Sequence, residues 1–188
     1  MNFFHYHYEN LLSEDLLLKQ NVSNAKYLFD ISAINLSHSS RNFRIQEKTL
    51  ILPWIALELF GGQFPKQARA RQAFSNFKIL SRDLLGCKLD IKHADVYSIL
   101  SRIYLLVLPR SRGFEGFYQK QIESKSITFG LTNLLTLPEL EENANYFEKV
   151  PGINITIQMT TRNSDEALLL LSGFQIPILF HKPDKSIG

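Results

Sequence analysis

The chain is poor in the residues that supply covalent or metal chemistry. It has one cysteine, Cys87, among 188 residues, which excludes an intramolecular disulfide framework and a multi-cysteine zinc site. The five histidines are scattered, and no H-x-x-x-H pair occurs. We therefore expect no bound metal or other cofactor, a buried and inert Cys87 thiol, and a reducing compartment.

The usual signatures of catalysis are also missing. No G-x-S-x-G elbow, G-x-x-x-x-G-K-[ST] loop or G-x-G-x-x-G fingerprint occurs. Gly61 and Gly62 follow an apolar run, which favours a helix stop over a phosphate-binding loop. The acids of PELEENANYFEK lack calcium-loop spacing, so a solvated loop with one helical turn is expected there. We expect no enzymatic activity.

Long apolar runs and a targeting segment are absent as well. No stretch approaches the roughly 18 apolar residues of a membrane-spanning helix. The opening residues lack arginine and include Glu9, Glu14 and Asp15, which argues against a secretory signal and a mitochondrial transit peptide. We expect a protein without membrane contact that, if it works in an organelle, is made there.

What the chain does have is a concentrated positive charge. Residues 61–112 hold ten Lys or Arg against three Asp or Glu, whereas the whole chain has a net charge of +3. A concentrated positive surface on a small domain indicates a polyanionic partner, most often nucleic acid. Charge alone leaves a second interpretation open, in which the segment is a solvated basic loop without a partner.

Hydrophobic periodicity predicts helices and strands in mixed order. Helices are predicted over 8–19, over 53–60, from Asp95 to Pro109, and from an Asn163 and Glu166 cap to a glycine stop at Gly173. Strands are predicted over 26–36, in NFKIL and GCKLDIK with a basic loop between them, and over 153–160.

This order favours an α+β fold, an antiparallel sheet with helices packed on one face, because no strand–helix rhythm repeats. We expect a single compact domain over 1–188. Its N-terminal half would be 1–82, with a divergent first strand, and its C-terminal half 83–180.

Several motifs follow one another in a fixed order: GGQFPKQARARQAFSNFKI, GCKL, LPRSRGFEGF, FGL with LPEL, and GINITIQMTT before SDEALLLLSGF. In this order the chain resembles the family of the universal large-subunit ribosomal protein number five. The family pattern has G-Q-x-P, a basic K-A-R-like triplet, G-F-K-I, G-C-K-V, V-P-R-x-R-D-F-R-G, F-P-E-I and D-I-T-I-T-T. The resemblance needs no gap over 61–117 and resumes over 138–178.

The resemblance implies a structural protein of the central protuberance of the large ribosomal subunit, and not a catalyst. It implies binding to 5S rRNA and large-subunit rRNA, contact with the P-site tRNA, a bridge to a small-subunit head protein, and contact with other central-protuberance proteins. The opening FHYHYENLLSEDLLLKQN is similar to the start of mitochondrion-encoded members. This similarity implies a mitochondrial ribosome in the matrix, while a plastid or bacterial origin stays open.

Carried onto this sequence, the resemblance implies three groups of site residues. The RNA-binding cations are Lys66, Arg69, Arg71, Lys78, Lys88, Arg110 and Arg112. Guanidinium groups suit this role because they bind phosphate oxygens bidentately. The tRNA-contact loop comprises Leu80, Ser81, Arg82, Asp83 and Leu84. The intersubunit bridge segment, about 120–131, includes Lys120, Lys125 and Thr128.

The chain also departs from the family pattern. Glu115 stands where D-F-R-G has arginine, and a carboxylate there would repel phosphate. Residues 22–45 match poorly, although Arg41 and Arg44 fall among them. Two other hypotheses stay open: a non-ribosomal RNA-binding regulator with a similar sheet, and an enzyme acting on RNA, for which no catalytic set was found.

Overall fold

A computed structural model describes residues 3–20, 27–39, 47–93, 95–148 and 150–179, with the side chains of 47–49 and 77 excepted. Helix α1 covers 3–20 as Phe3–His7, a π-helical turn Tyr8–Leu12, and Ser13–Gln20. Helix α3 covers 95–110 as Asp95–Arg102, a π-helical turn Ile103–Val107, and Leu108–Arg110. The other helices are α2 (Glu47–Gly61), α4 (Pro138–Glu141), α5 (Ala144–Phe147) and α6 (Ser164–Gly173). None of these described helices is long and apolar enough to cross a membrane.

Five of the strands form one antiparallel sheet. The strands are β1 (Ile31–Ser39), β2 (Lys66–Arg69), β3 (Leu84–Lys92), β4 (Phe117–Tyr118), β5 (Ser126–Leu131), β6 (Ile153–Met159) and β7 (Ile178–Leu179). The sheet order is β2-β3-β1-β6-β5, and β4 pairs with β7 in a separate two-stranded parallel sheet. The predicted α+β class with an antiparallel sheet is confirmed.

The large sheet is apolar on one face only. The inward residues are buried: Ile34, Leu36, Cys87, Leu89, Ile91, Ile127, Ile153, Ile155, Ile157 and Met159. Their neighbours along the strands, such as Lys88, Asn154 and Gln158, are exposed. A strand's period of two places these two sets on opposite faces. The helices cover the apolar face, as predicted, and leave the polar face open.

Helices α2 and α3 are joined to each other and to α4 through one guanidinium group. Helix α2 packs on β3, and α3 packs on β1 and β3. The Arg102 side chain of α3 lies 5.0 Å from the Phe60 ring centroid and donates a 2.7 Å hydrogen bond to the Phe60 carbonyl oxygen. It also forms an ion pair with Glu139 of α4. Burial lowers the pKa of Arg102, but a guanidinium remains charged near neutral pH.

Helix α1 is held against the rest of the molecule by an aromatic cluster. The Phe174 ring lies 5.7 Å from Phe4, 6.1 Å from Tyr8 and 6.2 Å from Tyr97, measured between ring centroids. The Tyr8 hydroxyl donates to the Phe29 carbonyl oxygen at 3.0 Å, and the Tyr97 hydroxyl donates to Asp30. Burial raises the pKa of both tyrosines, so both phenols remain neutral donors.

Several predicted element boundaries are wrong because packing and pairing outweigh local sequence. Helix α1 begins at Phe3 because Phe4 is buried in the aromatic cluster. Helix α2 contains Pro53 in its interior, since buried residues such as Leu50 hold the preceding turn. Strand β1 begins at Ile31, where its partner β6 ends, and continues to Ser39 opposite Gly86; Lys26, where the predicted strand begins, lies outside the described residues.

The predicted helix ends are right in position but differ in detail. Helix α2 stops at Gly61, and Gly62 follows with a φ of +66°, a left-handed conformation that favours glycine. Helix α3 includes Pro109 and ends at Arg110, because proline is accepted in the first turn after the π-helical segment. Asn163 precedes α6 but makes no side-chain capping bond, since the Glu166 carboxylate accepts from the Arg162 N–H at 2.7 Å.

The predicted strand NFKIL is wrong. Residues Ser75–Phe77 form a 3₁₀ turn, and Phe74 and Ile79 pair with each other in a single antiparallel bridge. Lys78 turns the chain back between them with a φ of 54°. The partner of β3 is instead β2, with Lys66 opposite Lys88.

His38 is a buried polar side chain on the apolar face of the sheet. It is 3% exposed, and its Nδ1 lies 3.0 Å from the Gly152 carbonyl oxygen, which makes Nδ1–H the donor. Burial lowers the pKa of His38, and the bond to Gly152 offsets only part of this shift. The folded state therefore favours the neutral imidazole.

This burial predicts a loss of stability on acidification. In the unfolded chain the His38 pKa returns to about 6.5, so below that pH the unfolded state binds a proton before the folded state does. The free energy of unfolding should be insensitive to His38 above about pH 6.5 and fall below it. Urea unfolding across this range should show a weaker pH dependence for His38→Gln than for the wild type. Identical pH dependence in the two proteins would contradict the assignment.

Candidate nucleic-acid interface

Between β2 and β3 the chain forms an irregular hairpin, residues 70–83, which we call the arm. Its base continues the sheet, because the Ala70 N–H donates to the Asp83 carbonyl oxygen at 2.8 Å and the Arg82 N–H donates to the Ala70 carbonyl oxygen at 2.9 Å. Its tip is closed by the Phe74–Ile79 bridge, with N···O distances of 2.9 and 3.1 Å. The arm is therefore a hydrogen-bonded structure and not a loose loop.

The tip of the arm presents an aromatic ring and cations together. Phe74 is 53% exposed, and Lys78 is exposed in the adjacent turn. Arg71 and Arg82 are also exposed, and neither they nor Lys78 contact an acidic side chain among the described residues. Exposed aromatic rings stack on unpaired bases, and unpaired cations bind phosphates. The arm thus offers both kinds of contact.

The predicted tRNA-contact loop forms the return side of the arm and not its tip. The Asp83 carboxylate accepts from the Leu80 N–H at 2.8 Å, which fixes a turn over Leu80, Ser81, Arg82 and Asp83. Arg82 has a φ of 71°, a conformation that side chains other than glycine adopt at some cost. Leu84 is already the first residue of β3. The only acid of the loop is therefore used to build the turn.

Two lysines stand directly opposite each other beside the arm. Lys66 of β2 pairs in register with Lys88 of β3, and both are exposed. Like charges in such a position repel and reduce stability. The Lys88 ammonium is partly balanced by the Asp90 carboxylate at 3.7 Å, while exposed Lys92 lies on the same face of β3. This corner of the sheet keeps excess positive charge that an anion would neutralise.

The rest of the polar face carries uncharged hydrogen-bonding groups; we call this whole surface the open face. Register places Ser37 beside Lys88 and Asn154, and Asn35 beside Asp90 and Thr156. Thr128 of the edge strand follows, with its hydroxyl oxygen 3.0 Å from that of Thr156. Hydroxyl and amide groups of this kind can bond the 2′-hydroxyls and base edges of an RNA minor groove.

Not all of the predicted RNA-binding cations lie in this region. Lys66, Arg69, Arg71, Lys78 and Lys88 belong to β2, the arm and β3, and the Arg69 guanidinium donates to the Gln67 side-chain oxygen at 3.1 and 2.7 Å. Arg110 instead ends α3 and pairs with Glu141 of α4 at 3.1 Å. Arg112 is exposed in the following turn, close in sequence to exposed Glu115. These two arginines belong to the helix layer.

The predicted bridge residues are also distributed. Lys120 lies in a 3₁₀ turn, Gln119–Gln121, and Lys125 lies in the turn before β5, where its carbonyl oxygen accepts from the Met159 N–H at 2.8 Å. Thr128 lies on the open face of β5. The structure therefore joins Thr128 to the RNA-like surface and leaves the two lysines outside it.

The described residues offer no catalytic or metal chemistry. They contain no group of three or more His, Cys, Asp or Glu side chains that could hold a metal ion. Cys87 is buried under the helices, and burial raises the pKa of its thiol to about 11. At neutral pH this thiol stays protonated and therefore unreactive.

Comparison with known proteins decides the family. A sequence model for the C-terminus of the ribosomal uL5 family matches residues 84–178. The large ribosomal subunit protein uL5m of Reclinomonas americana is 33% identical over 179 residues, which cover 95% of this chain and 98% of that protein. The chain belongs to the ribosomal uL5 family. It is therefore a structural, non-enzymatic constituent of the large ribosomal subunit, and the resemblance noted in the sequence is confirmed.

Two further relatives of the ribosomal uL5 family align over most of the chain. The uL5m protein of Prototheca wickerhamii is 28% identical over 187 residues, covering 91% of this chain and 81% of that protein. The uL5 protein of Buchnera aphidicola is 30% identical over 172 residues, covering 91% and 95%. The two uL5m relatives make the chain a member of the mitochondrial type.

Sequence reasoning about this family member overlooked part of the interface. Lys92 was not among the predicted cations, although it stands at an alternate position to Lys88 on β3. Asn35, Ser37 and Thr156 were also missed as site residues because they carry no charge. The signal available for all four is the strand period of two, once the register of β1, β3 and β6 is known.

The opposed lysines predict a stabilising substitution. Replacing Lys66 by Gln removes the repulsion toward Lys88, so the free energy of unfolding of the isolated protein should rise by about 0.2–1 kcal/mol at low salt. The gain should shrink at high salt because screening already weakens the repulsion. Lys120→Gln serves as the control, since Lys120 is an exposed lysine outside the sheet. Equal effects of both substitutions in urea unfolding would contradict the charge pair.

Proposed function

We propose that this chain binds 5S rRNA and large-subunit rRNA in the central protuberance of the mitochondrial ribosome through the open face and the arm. The observation that carries the proposal is the Lys66–Lys88 pair beside a row of uncharged polar side chains. Such a surface combines phosphate neutralisation with groups that bond the RNA minor groove. Most of the affinity would come from phosphate contacts and the specificity from RNA shape.

The mitochondrial location is supported by the names of two relatives, each uL5m, that align over at least 91% of this chain. The partners of the proposed surface are then the RNAs of the mitochondrial large subunit. A family member that acted as a free RNA-binding regulator would instead sediment apart from large subunits, which is the outcome that would favour this alternative.

Salt dependence tests the arm as a phosphate-binding element. The double variant Arg69→Ala and Arg71→Ala should bind 5S rRNA more weakly and with a flatter salt dependence. The log–log slope should fall by about one unit for each lost phosphate contact. Lys19→Ala is the matched control, because Lys19 is exposed on α1 and pairs with Asp15 at 2.6 Å.

The same titration should use an unrelated structured RNA of equal length. Preference for 5S rRNA at moderate salt, lost together with slope in the arginine variant, is the expected result. An unchanged slope in the double variant would remove Arg69 and Arg71 from the interface. Equal, wholly salt-labile binding of both RNAs would mean that the surface is only a general polycation.

We further propose that the arm reaches the P-site tRNA. Support comes from its hydrogen-bonded rigidity, its exposed Phe74 and its unpaired Arg82 and Lys78. Arg82→Ala and Phe74→Ala should each weaken tRNA binding to the P site of assembled ribosomes, while 5S rRNA content stays unchanged. Filter binding with labelled tRNA measures the first, and gel quantification the second. Wild-type tRNA affinity in both variants would exclude the arm from this contact.

The bridge to a small-subunit head protein is proposed for residues 120–131. The exposure of Lys120 and Lys125 supports an interaction there with an acidic protein surface. Thr128 is better assigned to the RNA-binding open face because its hydroxyl joins the row formed with Thr156. The bridge assignment therefore rests on the two lysines.

A further inference from the structure

Helix α2 is apolar on all of its described sides. Its inner face buries Leu50, Leu57 and Phe60 in the core. Its outer face exposes Ile51, Ile55 and Leu59 by 54%, 38% and 48%. A helix that is hydrophobic all round is normally buried on every side, whereas a surface helix presents polar residues outward. The outer face of α2 therefore has the composition of an interface.

The three exposed residues form one strip. They are spaced one helical turn apart, so they lie in line along about 12 Å of the helix axis. Helix α5 packs against α2 and exposes Tyr146 by 66%. Single exposed apolar residues are common and need no explanation, but a continuous row of them marks a contact surface. We call Ile51, Ile55 and Leu59 the α2 strip.

The surroundings of the α2 strip are acidic. Residues 47–61 and 138–149 together contain six Glu and two Lys, in a chain whose net charge is +3. Glu139 and Glu141 are already paired with Arg102 and Arg110. Glu58 flanks the strip on α2, and Glu142 and Glu148 are exposed beside α5. A surface of this charge repels the phosphates of RNA and attracts basic side chains.

We propose that the α2 strip docks an amphipathic helix of another ribosomal protein, with Lys or Arg along its edges. The length of the strip matches two or three apolar side chains at i, i+3 or i+4 spacing, the usual way in which a helix binds a groove. The basic edges would face Glu58, Glu142 and Glu148. The inference rests on the place of the chain in the large subunit and is independent of the RNA contacts proposed above.

Site-specific crosslinking in assembled large subunits tests the occupant directly. Ile55 is replaced by photoreactive benzoylphenylalanine in the full-length protein, and the same residue replaces Thr128 on the open face as a control. The expected result is a crosslink from position 55 to a basic, amphipathic segment of a ribosomal protein, and from position 128 to rRNA. A crosslink from position 55 to rRNA, or none when position 128 reacts, would overturn the proposal.

Substitution of the strip tests whether the contact holds the partner. In subunits carrying Ile55→Asp and Leu59→Asp, quantitative mass spectrometry should show loss of the protein that position 55 crosslinks. Affinity of the isolated variant for 5S rRNA should stay within about twofold of wild type, which separates this contact from the RNA interface. Full occupancy of the partner would overturn the proposal.

A second variant avoids any effect on folding. Glu58→Lys changes only a flanking charge and should also lower partner occupancy, while thermal unfolding confirms that both variants remain folded. The same substitution to Gln should have a smaller effect, because it removes attraction without adding repulsion. Equal occupancy in the Lys, Gln and wild-type proteins would exclude a basic partner.

Discussion

The structure depends on a sheet that is apolar on one side only. Strands β1, β3, β5 and β6 bury every second residue beneath α2 and α3, and the residues between them therefore share the opposite face. Because an antiparallel sheet can leave one face in water, no second helical layer is needed. That single constraint places Lys66, Lys88 and the polar row where a large, flat partner can reach them.

The molecule consequently has two surfaces of opposite character. The open face and the arm hold excess cations together with uncharged polar groups, which suits RNA. The outer side of α2 and α5 holds apolar side chains and carboxylates, which suits a basic protein. Arg102 links the two helical elements behind this second surface through Phe60 and Glu139. A chain built in this way can join RNA to protein within one ribosomal subunit.

Much of this could be predicted from sequence, and the rest depends on contacts between distant residues. The alternation over 153–160 fixes a half-buried strand by local rules alone. The opposition of Lys66 and Lys88 requires the register of β2 on β3, which the sequence around NFKIL hides because Phe74 and Ile79 pair with each other. The pairing of Arg110 with Glu141 likewise needs the packing of α3 beside α4.

The central claim is that the open face is covered by RNA in the large subunit, and amine modification tests it most directly. Purified large subunits and the isolated protein are treated with the same lysine-specific reagent, and the modification rate of each lysine is compared by mass spectrometry. The account predicts that Lys66, Lys88 and Lys92 react much more slowly in the subunit, while Lys19 reacts at a similar rate in both. Equal rates for the three open-face lysines in both samples would contradict it.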